Sequence, residues 1–301
     1  MKIVTPSPGS MSPEKIFILA NAASRTLNRP ALQAAASHLG RFVPCEVLFT
    51  DSIANACTTA ATLSADPKNL VAACGGDGTI HTIANNLARD AVMGIIPSGT
   101  ANVIARELGI PASAREAAKL LLTGAVQKID LGLCNRRKFV FVAGIGFDAE
   151  VAASVSPRLK KYFGRYAYHL TAIRRFADYR PPLLRVSVDG ADNEFIGRFA
   201  IIANMRRYGG DLFFAPAARY DDGLLDMVLV ENFNMQTLLR LLNFAKGKGR
   251  FPAEGVRILK GKNFVVRADR PVPFELDGEV LQATTDFSIG MAPESARFIT
   301  P

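Results

Sequence analysis

The chain has 301 residues, of which 49% are hydrophobic and 21% are charged, a composition that indicates a packed globular protein and excludes a disordered one. Lysines and arginines number 36 against 27 aspartates and glutamates, and the formal net charge of +9 favours polyanionic partners, namely nucleotides, nucleic acid or an anionic membrane surface. There is no run of about 18 apolar residues, and the N-terminal stretch carries Pro, Ser and Gly where a signal peptide needs an apolar run, so we expect a cytoplasmic protein without a membrane-spanning helix.

The first 130 residues alternate between short apolar runs and helical patterns. The apolar runs are IFILA near 17–20, CEVLFT at 45–50, NLVAAC at 69–74 and AVMGII at 91–96. A further helix is predicted from the capping box Ser113-Ala114-Arg115-Glu116 to Leu122. Short apolar strands that alternate with helices predict a parallel, doubly wound sheet.

A glycine loop, Gly75–Thr79, follows the third predicted strand. Glycines allow close backbone approach, and the apolar face from Ile80 to Ala88 predicts a helix that begins at this loop. The free N–H groups and the dipole at such a helix N-terminus favour an anion. Neither a Walker A motif nor GxGxxG is present, so a glycine turn that binds nothing is an equally good interpretation of this loop alone.

The next strand ends in a second loop of the same kind, Pro97-Ser98-Gly99-Thr100-Ala101-Asn102, in which we expect Thr100 to be the helix N-cap. In a parallel sheet both loops emerge at the carboxyl ends of the strands, where ligands bind. Two adjacent glycine loops, one with Asp77 and the other with Thr100 and Asn102, predict a site for a nucleoside triphosphate with Mg²⁺.

The pattern changes after about residue 126. Leu184, Val186 and Val188 alternate with polar residues and end at Asp189-Gly190, which is a hairpin signal. Further strand-like runs are FVFVA at 139–143, FAIIAN at 199–204, LLDMVLV at 224–230, VRIL at 256–259, FVVRA at 264–268, VPFEL at 272–276 and FSIGM at 287–291. They predict an antiparallel β-sandwich or barrel, with helices near 158–178 and 235–245.

These motifs resemble the diacylglycerol kinase catalytic-domain family, which includes bacterial lipid kinases and is related to sphingosine and ceramide kinases. The resemblance rests on segments spread through most of the chain in the order of the family: Gly75–Thr79, Pro97–Asn102, Asn204, Gly209-Gly210, Pro216-Ala217, Asp221–Asp226 and the hairpin Phe274–Glu279.

The resemblance implies an α/β fold with a Rossmann-like parallel-sheet N-terminal domain and a β-sandwich C-terminal domain, as in NAD kinases and diacylglycerol kinases. The nucleotide-binding domain is expected over 13–132, joined by the C-terminal segment 292–301. The lipid-substrate domain is expected over 133–291.

The implied activity is ATP-dependent transfer of the γ-phosphate to a lipid hydroxyl, with diacylglycerol as acceptor and phosphatidic acid as product. A ceramide or sphingoid-base kinase is the alternative, and an NAD kinase-like enzyme or a non-catalytic nucleotide- or lipid-binding regulator are further ones. ATP and Mg²⁺ are the implied cofactors. The implied nucleotide contacts are Asn21, Ser24, Arg25, Thr50, Gly75, Gly76, Asp77, Gly78, Thr79, Thr100 and Asn102.

The resemblance also implies the catalytic groups. Glu279 is the expected base for the substrate hydroxyl, with Asp277 as the alternative, and Asp77 helps to hold Mg²⁺. A structural Mg²⁺ is implied at the Asp222 side chain and the backbone carbonyls of Arg219 and Leu224. The chain departs from the family at His81-Thr82, where Asn-Glu is common, and at Val103, where diacylglycerol-specific members often carry Asp.

Residues 158–180 carry seven lysines and arginines against a single aspartate, interleaved with tyrosine and phenylalanine, and 244–251 forms a second basic patch. Such a segment can lie on anionic headgroups, so we expect a cytoplasmic protein peripherally bound to the inner face of the membrane, where it meets its lipid substrate. A solvated helix packed on the sandwich is the alternative. No nucleic-acid motif accompanies these patches, and a homodimer is left open.

Overall fold

The computed structural model describes residues 12–155, 171, 174–176, 178–248 and 254–301. The chain forms two compact units, one from the residues up to Ile129 together with Glu294–Pro301, and the other from Asp130–Pro293. Most of the predicted helix at 158–178 and of the basic segment 158–180 lies outside the described residues, as does part of the patch 244–251.

The first unit alternates strands with helices. Its elements are β1 (Lys15–Asn21), α1 (Arg29–Leu39), β2 (Cys45–Thr50), α2 (Ile53–Ser64), β3 (Asn69–Gly75), α3 (Asp77–Ala84), β4 (Val92–Pro97), α4 (Val103–Glu107), α5 (Ala114–Thr123), β5 (Ala125–Ile129) and the C-terminal β16 (Ala296–Thr300). The strand order is β2-β1-β3-β4-β16-β5. Neighbours among β1 to β4 pair in parallel, and β16 is parallel to β4 but antiparallel to β5. The prediction of a parallel α/β sheet is confirmed, and its central strands are apolar because helices cover both faces.

Two details of the helices in this unit differ from the sequence predictions. Ser113 is the N-cap of α5, but its side chain makes no capping hydrogen bond, and Glu116 forms an ion pair with Lys119 at 2.8 Å instead of closing a capping box. The predicted helix after the first glycine loop ends at Ala84 and does not continue to Ala88. There the Asn86 side chain donates to the Thr82 carbonyl at 2.8 Å and competes with a further helical turn.

The second unit is rich in β-strands. Its elements are β6 (Gly132–Cys134), β7 (Arg137–Phe139), β8 (Val142–Ile145), α6 (Phe147–Ser154), β9 (Leu184–Val188), β10 (Phe195–Gly197), β11 (Phe199–Ala203), β12 (Leu225–Val230), α7 (Met235–Ala245), β13 (Val256–Gly261), β14 (Asn263–Leu276) and β15 (Glu279–Met291). The strand order is β13-β12-β11-β8-β14-β15-β6-β7, and β9 pairs with both β10 and β14. The predicted helix at 235–245 is confirmed as α7.

The long strand β14 belongs to two parts of this unit. Its first half pairs with β9, and its last three residues pair with β8, with a register irregularity between Arg267 and Val272. The strand therefore bends across the apolar core, which includes the fully buried Phe139, Phe264 and Phe287. This arrangement confirms the predicted β-sandwich class and carries the end of β14 to the turn at Asp277.

Candidate active site

The carboxyl ends of β2, β1, β3 and β4 lie along one edge of the first sheet. Asn21 is in register with Thr50, and Gly75 is in register with Pro97. Thr50 is buried, and its hydroxyl donates to the carbonyl of Ala20 at 3.4 Å. The structure therefore brings the predicted site residues at the ends of these four strands to one edge of the sheet. The Thr50 hydroxyl is hydrogen-bonded inside the sheet.

The loop after β1 is organised by Asn21. Its side-chain oxygen accepts the N–H of Ala23 at 2.9 Å, and its carbonyl accepts the N–H of Ser24 at 3.1 Å. The Ser24 hydroxyl lies 3.1 Å from that of Thr26, and Arg25 is exposed. This Asx-type turn leaves the guanidinium of Arg25 accessible to an anion at the same sheet edge.

The two glycine loops approach each other backbone to backbone. A Cβ on Gly99 would lie 2.4 Å from the Cα of Gly76, a distance at which the two atoms would overlap. The N–H of Ser98 donates to the carbonyl of Gly75 at 2.9 Å, and a Cβ on Gly75 would lie 2.3 Å from the side chain of Thr79. Packing within and between the two loops therefore requires glycine at these positions, whether or not a ligand binds there.

Asp77 and Asn102 hold the loops together. The Asp77 carboxylate accepts the N–H of Ile104 in the first turn of α4 at 2.9 Å. Asn102 has a positive φ of 48°, and its side chain both accepts from and donates to the backbone of Gly99 at 2.9 Å. Asn102, and not Thr100, is thus the N-cap of α4, because its amide closes the loop while Thr100 stays exposed.

The N-terminus of α3 has the features of an anion site. Its N-cap is Gly76, which has no side chain with which to cap the first turn. Gly78 is exposed, and a Cβ added there would meet no atom within 4 Å. Uncapped N–H groups beside open space can bind a phosphate, since the helix dipole favours negative charge there.

The residues that depart from the family lie on α3 and α4. The His81 ring nitrogen Nε2 lies 3.1 Å from the side-chain amide of Asn85, one helical turn further along α3. Val103 is 2% exposed and packs in the interior. An acidic side chain is therefore absent from the start of α4, where Val103 fills an apolar position.

In the second unit, Asp277 and Gly278 form a two-residue turn between β14 and β15. Both have positive φ, 50° and 88°, and Leu276 pairs directly with Glu279, as in the type I′ hairpin that Asp-Gly favours. The buried Asp277 carboxylate accepts three backbone N–H groups, from Val140 at 2.6 Å, Phe141 at 2.9 Å and Val142 at 3.0 Å. Its oxygens anchor the turn, and the alternative role of Asp277 as the catalytic base stays a prediction.

Glu279 is the exposed acid of this turn and the first residue of β15. The buried Asn204 supports the segment that holds Asp277, because its amide donates to the carbonyls of Val140 and Asp130, both at 2.7 Å. The turn is thereby tied to rigid strands while the Glu279 side chain is accessible to a substrate, as a general base must be.

Sequence reasoning missed a pair of acids in this region, Asp148 on α6 and Glu275 on β14. Burial, together with the neighbouring Asp148 carboxyl, raises the pKa of Glu275 well above its usual range, and burial also raises the pKa of Asp148. A hydrogen bond from Tyr208 acts on Asp148 in the opposite direction. The sequence held one signal of this pair: Glu275 lies inside an apolar run, between Phe274 and Leu276, which are both buried.

The predicted structural metal site has a lysine as its cation. Asp222 accepts the N–H of Leu224 at 3.1 Å with one oxygen and the Lys260 ammonium at 2.8 Å with the other. The same ammonium lies 3.5 Å from the buried Asp226 carboxylate. Among the described residues no group of three His, Cys, Asp or Glu side chains could hold a metal ion. Lys260 therefore contacts the carboxylate that was expected to hold Mg²⁺, and the metal site at Arg219, Asp222 and Leu224 stays a prediction.

Comparison with known proteins covers both units. The diacylglycerol kinase catalytic domain matches residues 15–134, and the YegS C-terminal NAD kinase beta sandwich-like domain matches residues 141–299. The chain is 36% identical over 261 residues to the "Probable lipid kinase YegS-like" of Pseudomonas aeruginosa strain UCBPP-PA14, covering 84% of this chain and 83% of that protein. It is 29% identical to the diacylglycerol kinase of Bacillus subtilis strain 168 over 215 residues, which cover 70% of this chain and 71% of that protein.

The fold agrees with these sequence matches. The crystal structure of a diacylglycerol kinase from Bacillus anthracis strain Sterne superposes with a TM-score of 0.76 at 20% identity, covering 96% of this chain and 97% of that one. In the described residues, no helix has the length and apolar character needed to cross a membrane. The two glycine loops, the Asp-Gly-Glu turn and these matches together show that the chain belongs to the diacylglycerol kinase family of lipid kinases.

Proposed function

We propose that this protein transfers the γ-phosphate of ATP to the hydroxyl group of a membrane lipid, with diacylglycerol as the acceptor and phosphatidic acid as the product. The observation that carries the proposal is the backbone-to-backbone approach of Gly76 and Gly99 beside an α3 N-terminus whose N-cap is a glycine. A site of that construction suits the phosphates of a nucleotide.

In this proposal the residues of the first unit bind and orient ATP. The α3 N-terminus and the exposed Gly78 receive phosphate oxygens, and Arg25 supplies a cation to them. The carboxylate oxygens of Asp77 are hard ligands of the kind that Mg²⁺ prefers, and Asp77 is the residue that would hold the ion that accompanies the nucleotide. Bound Mg²⁺ offsets the negative charge of the phosphate oxygens.

Glu279 acts as the general base. As the lipid oxygen bonds to the γ-phosphorus and the bond to the β-phosphate oxygen breaks, the hydroxyl proton passes to the Glu279 carboxylate. The exposure of Glu279 and the firm anchoring of its turn through Asp277 support this role. ADP leaves with the negative charge of the broken bond.

A ceramide or sphingoid base is the second candidate acceptor, because the buried Val103 stands where diacylglycerol-specific relatives often carry an acid. We also propose peripheral binding to anionic membranes in the cytoplasm, supported by the net charge of +9. Binding to such vesicles should fall as salt is added, because exposed charges are screened.

Label transfer from ATP to a panel of lipids in mixed micelles with Mg²⁺ tests the activity. We expect labelled phosphatidic acid from the wild-type protein, and loss of about 100-fold or more in Glu279→Gln, since the amide accepts no proton. Label on ceramide or a sphingoid base alone would reassign the acceptor. Label on soluble NAD, or nucleotide binding without any transfer, would overturn the proposed function.

A further inference from the structure

Two carboxyl groups that the proposed chemistry does not use converge beside β8. A Cβ on Gly144 would lie 2.4 Å from Oδ2 of Asp148 and 3.1 Å from Oε1 of Glu275, so both oxygens point at one position on the Gly144 backbone. Glu275 is 3% exposed and pairs in register with Gly144. Only a residue without a side chain leaves room for the two carboxyls to meet.

The meeting of these carboxyls requires a proton. Oδ2 of Asp148 is inaccessible to solvent and receives no hydrogen from an amide, hydroxyl or amine of the described residues. No salt bridge within the described part of the chain involves either acid. Two buried carboxylates side by side cannot both be ionised without a compensating charge, whereas one proton between them gives a charge-assisted hydrogen bond.

The surroundings decide which acid holds that proton. Asp148 lies in the first turn of α6, where the helix dipole stabilises its negative charge, and Tyr208 forms a hydrogen bond with it. Glu275 accepts the N–H of Gly278 at 2.5 Å through Oε2, which leaves Oε1 as the oxygen that faces Asp148. The proton therefore belongs on Oε1 of Glu275 and is donated to Oδ2 of Asp148.

We propose that Asp148 and Glu275 share a single buried proton and that this pair positions the turn from which Glu279 projects. The link to the turn is the bond from Gly278, the residue immediately before Glu279, to Glu275. Asp277 holds the same turn through its three bonds to residues 140–142. Glu275 is a positioning residue, and its effect on catalysis rests on the proposed function of Glu279.

The charged and titratable groups that face Glu275 among the described residues are few. Asp148 faces it from α6, Tyr208 acts through Asp148, and Asp277 lies across the turn. Burial, the charge of Asp148 and that of Asp277 all raise the pKa of Glu275, while the bond from Gly278 lowers it. The protonated carboxyl should therefore persist far above the pH at which an exposed glutamate ionises.

Infrared spectroscopy tests the shared proton without any need for activity. At about pH 8, where ordinary carboxyls are ionised, we expect the wild-type protein to show the carbonyl stretch of a protonated carboxyl that Glu275→Gln lacks. In Asp148→Asn this absorption should disappear at a lower pH than in the wild type, because the charge that raises the pKa of Glu275 is gone. A wild-type spectrum without that absorption, or an absorption that survives in Glu275→Gln, would overturn the proposal.

Kinetic measurements test the positioning role. Glu275→Leu removes both the acceptor for Gly278 and the partner of Asp148, and we expect kcat for lipid phosphorylation to fall by about tenfold or more with little change in KM for ATP. Glu275→Gln accepts from Gly278 and donates to Asp148, so it should recover most of that loss. Equal losses in the two variants, or none in Glu275→Leu, would contradict the role.

Val266→Ala is the matched control, because Val266 is fully buried on the same strand but lies away from the turn. It should lower the melting temperature without lowering kcat below that of Glu275→Gln. If Glu275→Leu does not fold, Glu275→Gln and Asp148→Asn still decide the shared proton. An infrared signature in a protein that phosphorylates no lipid would refute the proposed function and leave the buried pair intact.

Discussion

Gly76 and Gly99 touch through their backbones, and a Cβ on Gly99 would be 2.4 Å from the Cα of Gly76. The contact joins the loop after β3 to the loop after β4, so a side chain added at Gly99 would push the two loops apart. Gly99→Ala should lower the free energy of unfolding by about 1–3 kcal/mol, because the added methyl group overpacks a backbone contact. Thermal unfolding measures this loss, and an unchanged melting temperature would show that the loops can separate freely.

Gly78→Ala is the matched substitution in the same loop. A Cβ at Gly78 meets no atom within 4 Å and φ is not positive there, so the melting temperature should stay within about 1 °C of the wild type. The methyl group would occupy space proposed for phosphate, and we expect KM for ATP to rise by about tenfold or more. An unchanged KM would place the nucleotide away from the α3 N-terminus.

Asp277→Asn and Glu279→Gln should separate anchoring from chemistry. Asp277→Asn replaces one of the two accepting oxygens by an NH₂ group, so at least one of the three N–H donors loses its acceptor, which should cost about 1–3 kcal/mol of unfolding free energy. Glu279→Gln changes an exposed side chain and should leave the melting temperature close to that of the wild type. If Asp277→Asn were as stable as the wild type, the three bonds would not be what holds the turn.

Lys260 should make the loop around Asp222 independent of divalent metal. Its ammonium is shared by Asp222 and the buried Asp226, whose own pKa is raised by burial and lowered by Lys260. Lys260→Met should lower the melting temperature in EDTA, and millimolar Mg²⁺ should restore part of it by binding the folded state. Lys262→Met, which removes an exposed lysine nearby, is the control. A wild-type melting temperature that rises with Mg²⁺ would instead favour a metal site at Asp222.

The buried acids should give the protein a distinctive dependence of stability on pH. The pKa of Glu275 is raised in the folded state, so above the usual carboxyl pKa the folded chain binds more protons than the unfolded one. The contribution of this pair to the free energy of unfolding is fully present below the usual carboxyl pKa. It is lost as the pH rises toward the raised pKa of Glu275. Between about pH 5 and pH 8 the melting temperature of the wild type should fall relative to that of Glu275→Gln. A constant difference across this range would argue against a buried proton.

Local patterns were sufficient to predict most of the first sheet. The apolar runs at 45–50 and 69–74 match β2 and β3 closely. The central strand β3 is continuously apolar because it is buried along almost its whole length, whereas the edge strand β2 is only partly buried. The boundaries were less predictable. Thr100 has the side chain of a good N-cap, but the left-handed conformation of Asn102 lets its amide bond Gly99 on both sides and start α4 two residues later.

The Asp-Gly turn could also be predicted, since its sequence specifies a type I′ hairpin by itself. The partners of its acids could not. Asp277 is held by residues 140–142 and Glu275 meets Asp148, and both contacts join segments more than 120 positions apart in sequence. No pattern within one segment indicates which strand will cover an acid, so the buried pair emerges only from tertiary packing.

The place of β16 has a consequence for biosynthesis. Residues 296–300 form an interior strand of the first sheet, between β4 and β5, although the entire second unit is encoded before them. During translation the first sheet therefore has a gap until the ribosome has passed residue 300, and until then β4 and β5 have unpaired edges. A messenger truncated anywhere in the second unit would yield a first unit that cannot close its sheet.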